Sequence, residues 1–158
     1  MRLDAGSIWA TANVGDVLLR EGKAAEALEN YKKVALAGGG KRLDAGVAAL
    51  ELYLDNRRGK ELEDAARKDA AETLKELDPE PKYLIAAELA YVGQKDSALQ
   101  LLRSAVQGNY CQVYALDHDP VFASLRSDSE FASIRAAAVD CQKRFMAHRQ
   151  EKGSVPQN

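Results

Sequence analysis

The sequence is poor in the residues that build catalytic and metal centres. Two cysteines, Cys111 and Cys141, are too few for a metal site without neighbouring histidines. None of the serines stands in a glycine elbow that would expose a nucleophile, and only two histidines exist to act as its base. We therefore expect no enzyme, no metal and no cofactor.

The chain also lacks a charge excess and a long apolar run. It has 22 Lys and Arg against 24 Asp and Glu, a net charge of −2 with both signs interspersed. Nucleic acid is therefore not an expected partner. No run approaches the roughly 18 apolar residues of a membrane-spanning helix, and the N-terminus has no apolar secretion signal. We expect a soluble chain without membrane insertion, and these features favour the cytoplasm.

The two cysteines leave two interpretations open. Cys141 falls in an apolar stripe, where a cysteine is typically a small core residue. The alternative is a disulfide between Cys141 and Cys111, which would imply an oxidising compartment such as the periplasm.

Two short motifs are excluded as ligand sites. The glycine run at 38–40 precedes Lys41, but no Ser or Thr follows that lysine and a helix rather than a strand precedes the run, so it is not a phosphate-binding loop. Asp117, His118 and Asp119 are adjacent on a predicted loop and cannot all converge on one ion. Asp119 is also expected to cap a helix that begins at Pro120.

What the sequence does contain is one helix-turn-helix pattern written twice, in residues 15–34 and 86–105. Gly22 stands five residues before Ala27, and Gly93 stands five residues before Ala98. The two alanines are separated by about two periods of roughly 34 residues, with a few residues left over. This spacing leaves room for one more hairpin between them.

The periodicity predicts one all-α domain over residues 1–148. Its hairpins cover about 4–37, 42–78 and 81–107, a loop follows at 110–117, and capping helices cover about 119–148. A capping box from Ser127 to Glu130 opens the last helix. That helix carries an apolar stripe of Phe131, Ile134, Ala138, Cys141 and Phe145. Residues 149–158 are expected to be frayed.

The first hairpin resembles a tetratricopeptide repeat. The resemblance is carried by Gly15, Leu18, Ala27, Tyr31 and Val34. It departs at Thr11, where the family has a large residue, and at Gly39, where it has a closing proline. The resemblance implies antiparallel helix hairpins stacked as a short right-handed solenoid, closed by a C-terminal capping helix.

Residues 116–134 also resemble the tail that follows these repeats in bacterial multidomain regulators, including some serine/threonine kinases and winged-helix regulators. This second resemblance implies that the chain is the regulatory part of a larger bacterial protein. The helix predicted from residue 4 has almost no lead-in, as expected of a segment of a longer protein.

The resemblance also implies a binding site, because the first helices of successive repeats line a concave groove in this family. The corresponding residues are Trp9, Asn13, Asp16 and Arg20 in the first hairpin, Tyr53 and Arg57 in the middle one, and Tyr83, Ala87 and Tyr91 in the last. The alternative is that Trp9 and Tyr91 pack against neighbouring hairpins. One branch of the family clamps chaperone carboxylates with lysines and asparagines, but here Ala12 and Asp16 stand at those positions, and Asp16 would repel a carboxylate.

The leading hypothesis is a protein-protein interaction module that binds a peptide or protein segment in the groove. A small-molecule sensor coupled to an effector domain and an oligomerising module are the alternatives, and a homo-oligomer is compatible with the sequence.

Overall fold

The computed structural model describes residues 8–37 and 41–153, except the side chains of Trp9, 41–46 and 151–153. Within these ranges every regular element is a helix and no strand is present. The α-helices are α1 (Ile8–Arg20), α2 (Ala24–Leu36), α3 (Lys41–Leu54), α4 (Lys60–Thr73), α5 (Pro79–Tyr91), α6 (Lys95–Gln107), α7 (Val113–His118) and α8 (Ser129–Gly153), and a 3-10 helix (Pro120–Leu125) precedes α8. The all-α prediction is confirmed.

Four helices end in the same turn, which shapes the hairpins. α1, α3, α5 and α6 are each followed by a residue of positive φ, in order Gly22, Asn56, Gly93 and Asn109. In each case the next backbone N–H bonds to a carbonyl five residues back, as Lys23 does to Leu18 at 2.8 Å. This is the Schellman arrangement, which glycine and asparagine accept at low cost. Where only a short turn follows, as after α1 and α5, the chain reverses into an antiparallel hairpin.

The first and last hairpins are held by the small residues of the repeated pattern. Ala27, Ala86 and Ala98 are fully buried. A Cβ built on Gly15 would lie only 2.5 Å from the Tyr31 ring, so the glycine is what lets α1 approach α2 at this point. In both hairpins the small residues of the pattern therefore lie at the contact between the two helices.

The middle hairpin is built differently. Its turn runs from Asp55 to Gly59. In the other two hairpins the buried alanine stands five residues after the glycine of the turn, but the residue five after Gly59 is Asp64, and the buried alanine of α4 is Ala66. α4 also ends at Thr73, before the end of the predicted hairpin at about residue 78, and the side chain of Leu77 is fully exposed. α2 packs against α3, and α5 packs against both helices of the middle hairpin. The superhelical path and its handedness stay a prediction.

The C-terminal part differs from the prediction at three points. Residues 113–118 form α7 rather than a loop, because Leu116 is buried and anchors a helical turn. Asp128, not Ser127, caps α8: its Oδ1 accepts from the N–H of Glu130 at 2.7 Å. The buried stripe of α8 stops at Cys141, since Phe145 is 60% exposed. The predicted cap of Asp119 on the 3-10 helix is confirmed.

Cys141 is both a core residue and half of a disulfide. Its side chain is buried, and it is bonded to Cys111 with the two Cα atoms 5.8 Å apart. The bond joins the turn that follows α6 to α8, and α8 itself packs on α6. The start of α8 therefore closes the last hairpin, and its residues beyond Cys141 extend away from the core.

Candidate binding surface

The structure separates the predicted groove residues into two groups. Arg20 and Asp16 at the end of α1 lie close to the C-terminal segment, whereas Tyr53 and Tyr91 lie against each other at the ends of α3 and α5. Asn13 is exposed on α1. The side chain of Trp9, the remaining predicted residue of α1, lies outside the described residues.

Arg20 is engaged by the chain itself. Its Nε donates to Asp119 Oδ2 at 2.6 Å, and its Nη1 donates to the carbonyl of Asp16 at 2.9 Å. The Asp16 carboxylate in turn accepts from the Tyr31 hydroxyl at 2.8 Å. Burial, together with the nearby charges of Glu88 and Asp16, raises the pKa of Tyr31 far above its ordinary value, so this hydroxyl stays protonated and donates. These contacts tie α1 to α2 and to the 3-10 helix.

Tyr83 lies in the core rather than on a groove surface. Its ring centroid is 5.1 Å from that of Tyr110 and 5.6 Å from that of Phe122, and all but a small part of its side chain is buried. Ala87, one turn further along α5, is also buried. The 3-10 helix packs on α5 and on α1, so the chain's own C-terminal segment covers the part of α5 where a groove ligand was expected. Tyr83 and Ala87 are therefore removed from the candidate site.

The remaining aromatic residues form a surface that we call the aromatic patch, consisting of Tyr53, Arg58 and Tyr91. The two tyrosine rings meet edge to face with centroids 5.8 Å apart, and the Arg58 guanidinium lies 4.3 Å above the Tyr53 ring. Both tyrosines are half-buried and Arg58 is exposed. The Tyr91 hydroxyl is 3.5 Å from the carbonyl of Gly22, which brings the first turn of the chain next to the patch.

The sequence prediction named Arg57 here and missed Arg58. Arg57 points to Glu61, with its Nε 3.0 Å and its Nη2 2.8 Å from that carboxylate. The positive φ of Asn56 reverses the chain after α3, so the second arginine rather than the first folds back over Tyr53. Asn56 was the signal in the sequence that could have indicated Arg58, because asparagine is common at positive φ, where the chain reverses.

The charged residues Arg67 and Lys95 of one cleft are both paired. A cleft of about 350 Å3 lies between α4 and the start of α6, and Arg67 and Lys95 line it. Arg67 pairs with Asp64, and Lys95 pairs with Asp128. Since each cation already has a carboxylate, this cleft offers no unpaired positive charge for an anion.

The described residues contain no group of three His, Cys, Asp or Glu side chains that could hold a metal ion. The adjacent residues 117–119 have separate contacts: Asp117 pairs with Arg135, Asp119 pairs with Arg20, and the His118 ring stacks on Tyr114. None of the helices described is long and apolar enough to cross a membrane.

Comparison of the chain with protein-family models, with curated proteins and with solved structures finds no match. The resemblance to tetratricopeptide repeats therefore stays a prediction from the residues that carry it.

Proposed function

We propose that the chain is a helical interaction module that binds a protein or peptide segment at the aromatic patch. The observation that carries the proposal is the half-exposed Tyr53 and Tyr91 pair with an arginine over one ring. Tyrosine and arginine are enriched among the residues that dominate binding energy. Their rings are held by each other, so little side-chain freedom remains to be lost when a ligand binds.

The partner we propose is a segment with an apolar or aromatic side chain for the two rings and an acidic group for Arg58. The guanidinium of Arg58 has no ion pair with a described residue, in contrast to that of Arg57. The role of a regulatory part of a larger bacterial protein belongs to the same proposal. The disulfide supports an oxidising compartment, and hence the periplasmic alternative.

Affinity capture from the source cell's lysate tests the proposal. The parent chain is compared with Tyr53→Ala/Tyr91→Ala and with the control Tyr114→Ala, which removes a tyrosine that is 76% exposed on α7. We expect a protein retained by the parent and the control but lost by the double variant, with affinity reduced at least about 30-fold, as for two hot-spot residues. Circular dichroism confirms that each variant is folded. Equal retention by all three chains would contradict the proposal.

A second candidate function, oligomerisation, is favoured by an apolar stripe on α1. Val14 and Val17 are 50% and 53% exposed and stand three residues apart, on one side of the helix. Exposed pairs of this kind occur at protein-protein contacts. Sedimentation of the parent and of Val14→Ser/Val17→Ser separates the two functions: a mass that rises with concentration only in the parent indicates self-association through α1.

A further inference from the structure

The disulfide lies where α8 leaves the body of the molecule. Phe131, Ile134, Ala138 and Cys141 form the buried side of this helix, and three ion pairs hold its first part to the body: Lys95 with Asp128, Arg103 with Glu130, and Arg135 with Asp117. From residue 142 to residue 150 every side chain is exposed. Among the described side chains of α8, Cys141 is therefore the last buried one, and its bond to Cys111 lies at this point.

One sulfur of the bond can be reached from outside. Both cysteines line a cleft of about 440 Å3, together with Gln112, Arg144 and Phe145, but Cys111 is only half-buried whereas Cys141 is almost fully buried. A thiolate approaching through this cleft meets the sulfur of Cys111 first. Arg144 lines the same cleft, and its positive charge attracts an approaching thiolate.

We propose that the Cys111–Cys141 disulfide is a redox-sensitive anchor that a dithiol reductant opens in the folded protein, freeing the C-terminal half of α8. In the first step a thiolate of the reductant bonds to the sulfur of Cys111. The bond between the cysteines breaks, and Cys141 leaves as a thiolate that takes up a proton. In the second step the other thiol of the reductant loses its proton and attacks the reductant sulfur that is bonded to Cys111, which closes a disulfide within the reductant. Cys111 then leaves and is protonated, so that two electrons and two protons have passed to the protein.

Opening the bond changes a defined surface. Phe145 is 60% exposed and Met146 is 50% exposed, and both line the cleft together with Cys111. With the bond intact, Phe145 and Met146 are held beside the turn that follows α6. In the reduced chain the helix is held up to Ala138 by its buried stripe, and the apolar pair next to Cys141 separates from the turn at 109–112.

Amide hydrogen exchange of the full chain, before and after incubation with dithiothreitol, tests the anchor. We expect amides at 109–113 and 138–150 to exchange roughly tenfold faster after reduction, while those of α5 and α6 change less than about twofold, as expected for a local opening. Alkylation and mass measurement give the reduced fraction. The control is Cys111→Ser/Cys141→Ser, whose exchange should match that of the reduced parent and should not respond to dithiothreitol.

Three results would overturn the proposal. Reduction of the bond only in denaturant would make it a purely structural disulfide. Exchange could rise equally throughout the chain, which would show global destabilisation rather than release of α8. Unchanged exchange at 138–150 in a fully reduced chain would show that the bond does not anchor the helix.

Discussion

Gly15 stands where α1 packs on the ring of Tyr31, and there is no room for a side chain at this position. A Cβ at this position would be 2.5 Å from one Tyr31 ring carbon and 2.9 Å from the next. The ring cannot move away easily, because it is buried and its hydroxyl is bonded to Asp16.

We therefore expect Gly15→Ala to lower the free energy of unfolding by about 1–3 kcal/mol, the usual cost of overpacking. Urea unfolding measures it. The comparison is Gly22→Ala, where nothing lies near the added Cβ and only the positive φ opposes it, so that the expected cost is about 1 kcal/mol. A Gly15→Ala chain as stable as the parent would contradict the close packing of α1 on Tyr31.

Asp69 is a carboxylic acid on the buried side of α4. It is 3% exposed, and its Oδ2 has no hydrogen-bond partner among the described residues. Burial raises its pKa from 3.8 to about 7, although the charge of Lys68 acts in the opposite direction. Because the folded pKa is higher than the unfolded one, the protonated form is favoured by folding. The stabilising contribution is complete below about pH 4 and is lost as the pH rises to about 7.

We expect Asp69→Asn, which cannot ionise, to gain stability relative to the parent as the pH rises from 5 to 8. Urea unfolding of both chains at the two pH values measures this gain. Asp64→Asn is the control on the same helix, since Asp64 is exposed and paired with Arg67. A stability difference between Asp69→Asn and the parent that does not change with pH would contradict the raised pKa.

At the scale of elements, one ion pair joins the first helix to the C-terminal segment. The Arg20 side chain is 30% exposed and that of Asp119 is 6% exposed, and Asp119 also caps the 3-10 helix. Removing only the arginine leaves a buried carboxylate without its cation, which costs more than removing both charges.

Arg20→Met should therefore destabilise the chain by about 1–3 kcal/mol, and Arg20→Met/Asp119→Asn by less. Asn can still cap the 3-10 helix, so the cap is kept in the double variant. A double-mutant cycle of unfolding free energies gives the coupling between the two residues. Additive effects would show that the pair does not hold the two elements together.

The elements that the sequence predicted well are those built from local signals. α1 with α2 and α5 with α6 follow from glycines and alanines a few residues apart, and these contacts lie within one hairpin. The position of Tyr83 could not be predicted this way, because it is decided by Phe122, which is distant in sequence. Asp128 competed with Ser127 for the same cap, and spacing alone does not separate two adjacent capping residues.

At the scale of the molecule, the core ends before the chain does. Among the side chains of α8 that the structure describes, Cys141 is the last buried one, and the helix continues to Gly153. The sequence predicted the stripe as far as Phe145 because the helical period continues, but a period does not show where the packing partner ends.

Deleting residues 143–158 should change the free energy of unfolding by less than about 0.5 kcal/mol, because every side chain described in this range is exposed. Deleting from residue 138 removes two buried side chains, Ala138 and Cys141, and should lower it by about 1–3 kcal/mol. Thermal and urea unfolding compare the two deletions. A large loss in the shorter deletion would show that the end of α8 contributes to the core.

The pair of Arg20 and Asp119 spans 99 residues of sequence, and this separation has a consequence for synthesis. The ribosome completes the first hairpin long before it makes the segment that covers α1. At roughly 5–20 residues per second, the interval is on the order of 5–20 s. During that time the first hairpin can form from its own short-range contacts, while the arginine remains open to water. Tyr83 is made later and waits for Phe122, which follows 122 − 83 = 39 residues on, for roughly 2–8 s. The nascent chain therefore presents, for several seconds, an apolar surface that the finished protein buries.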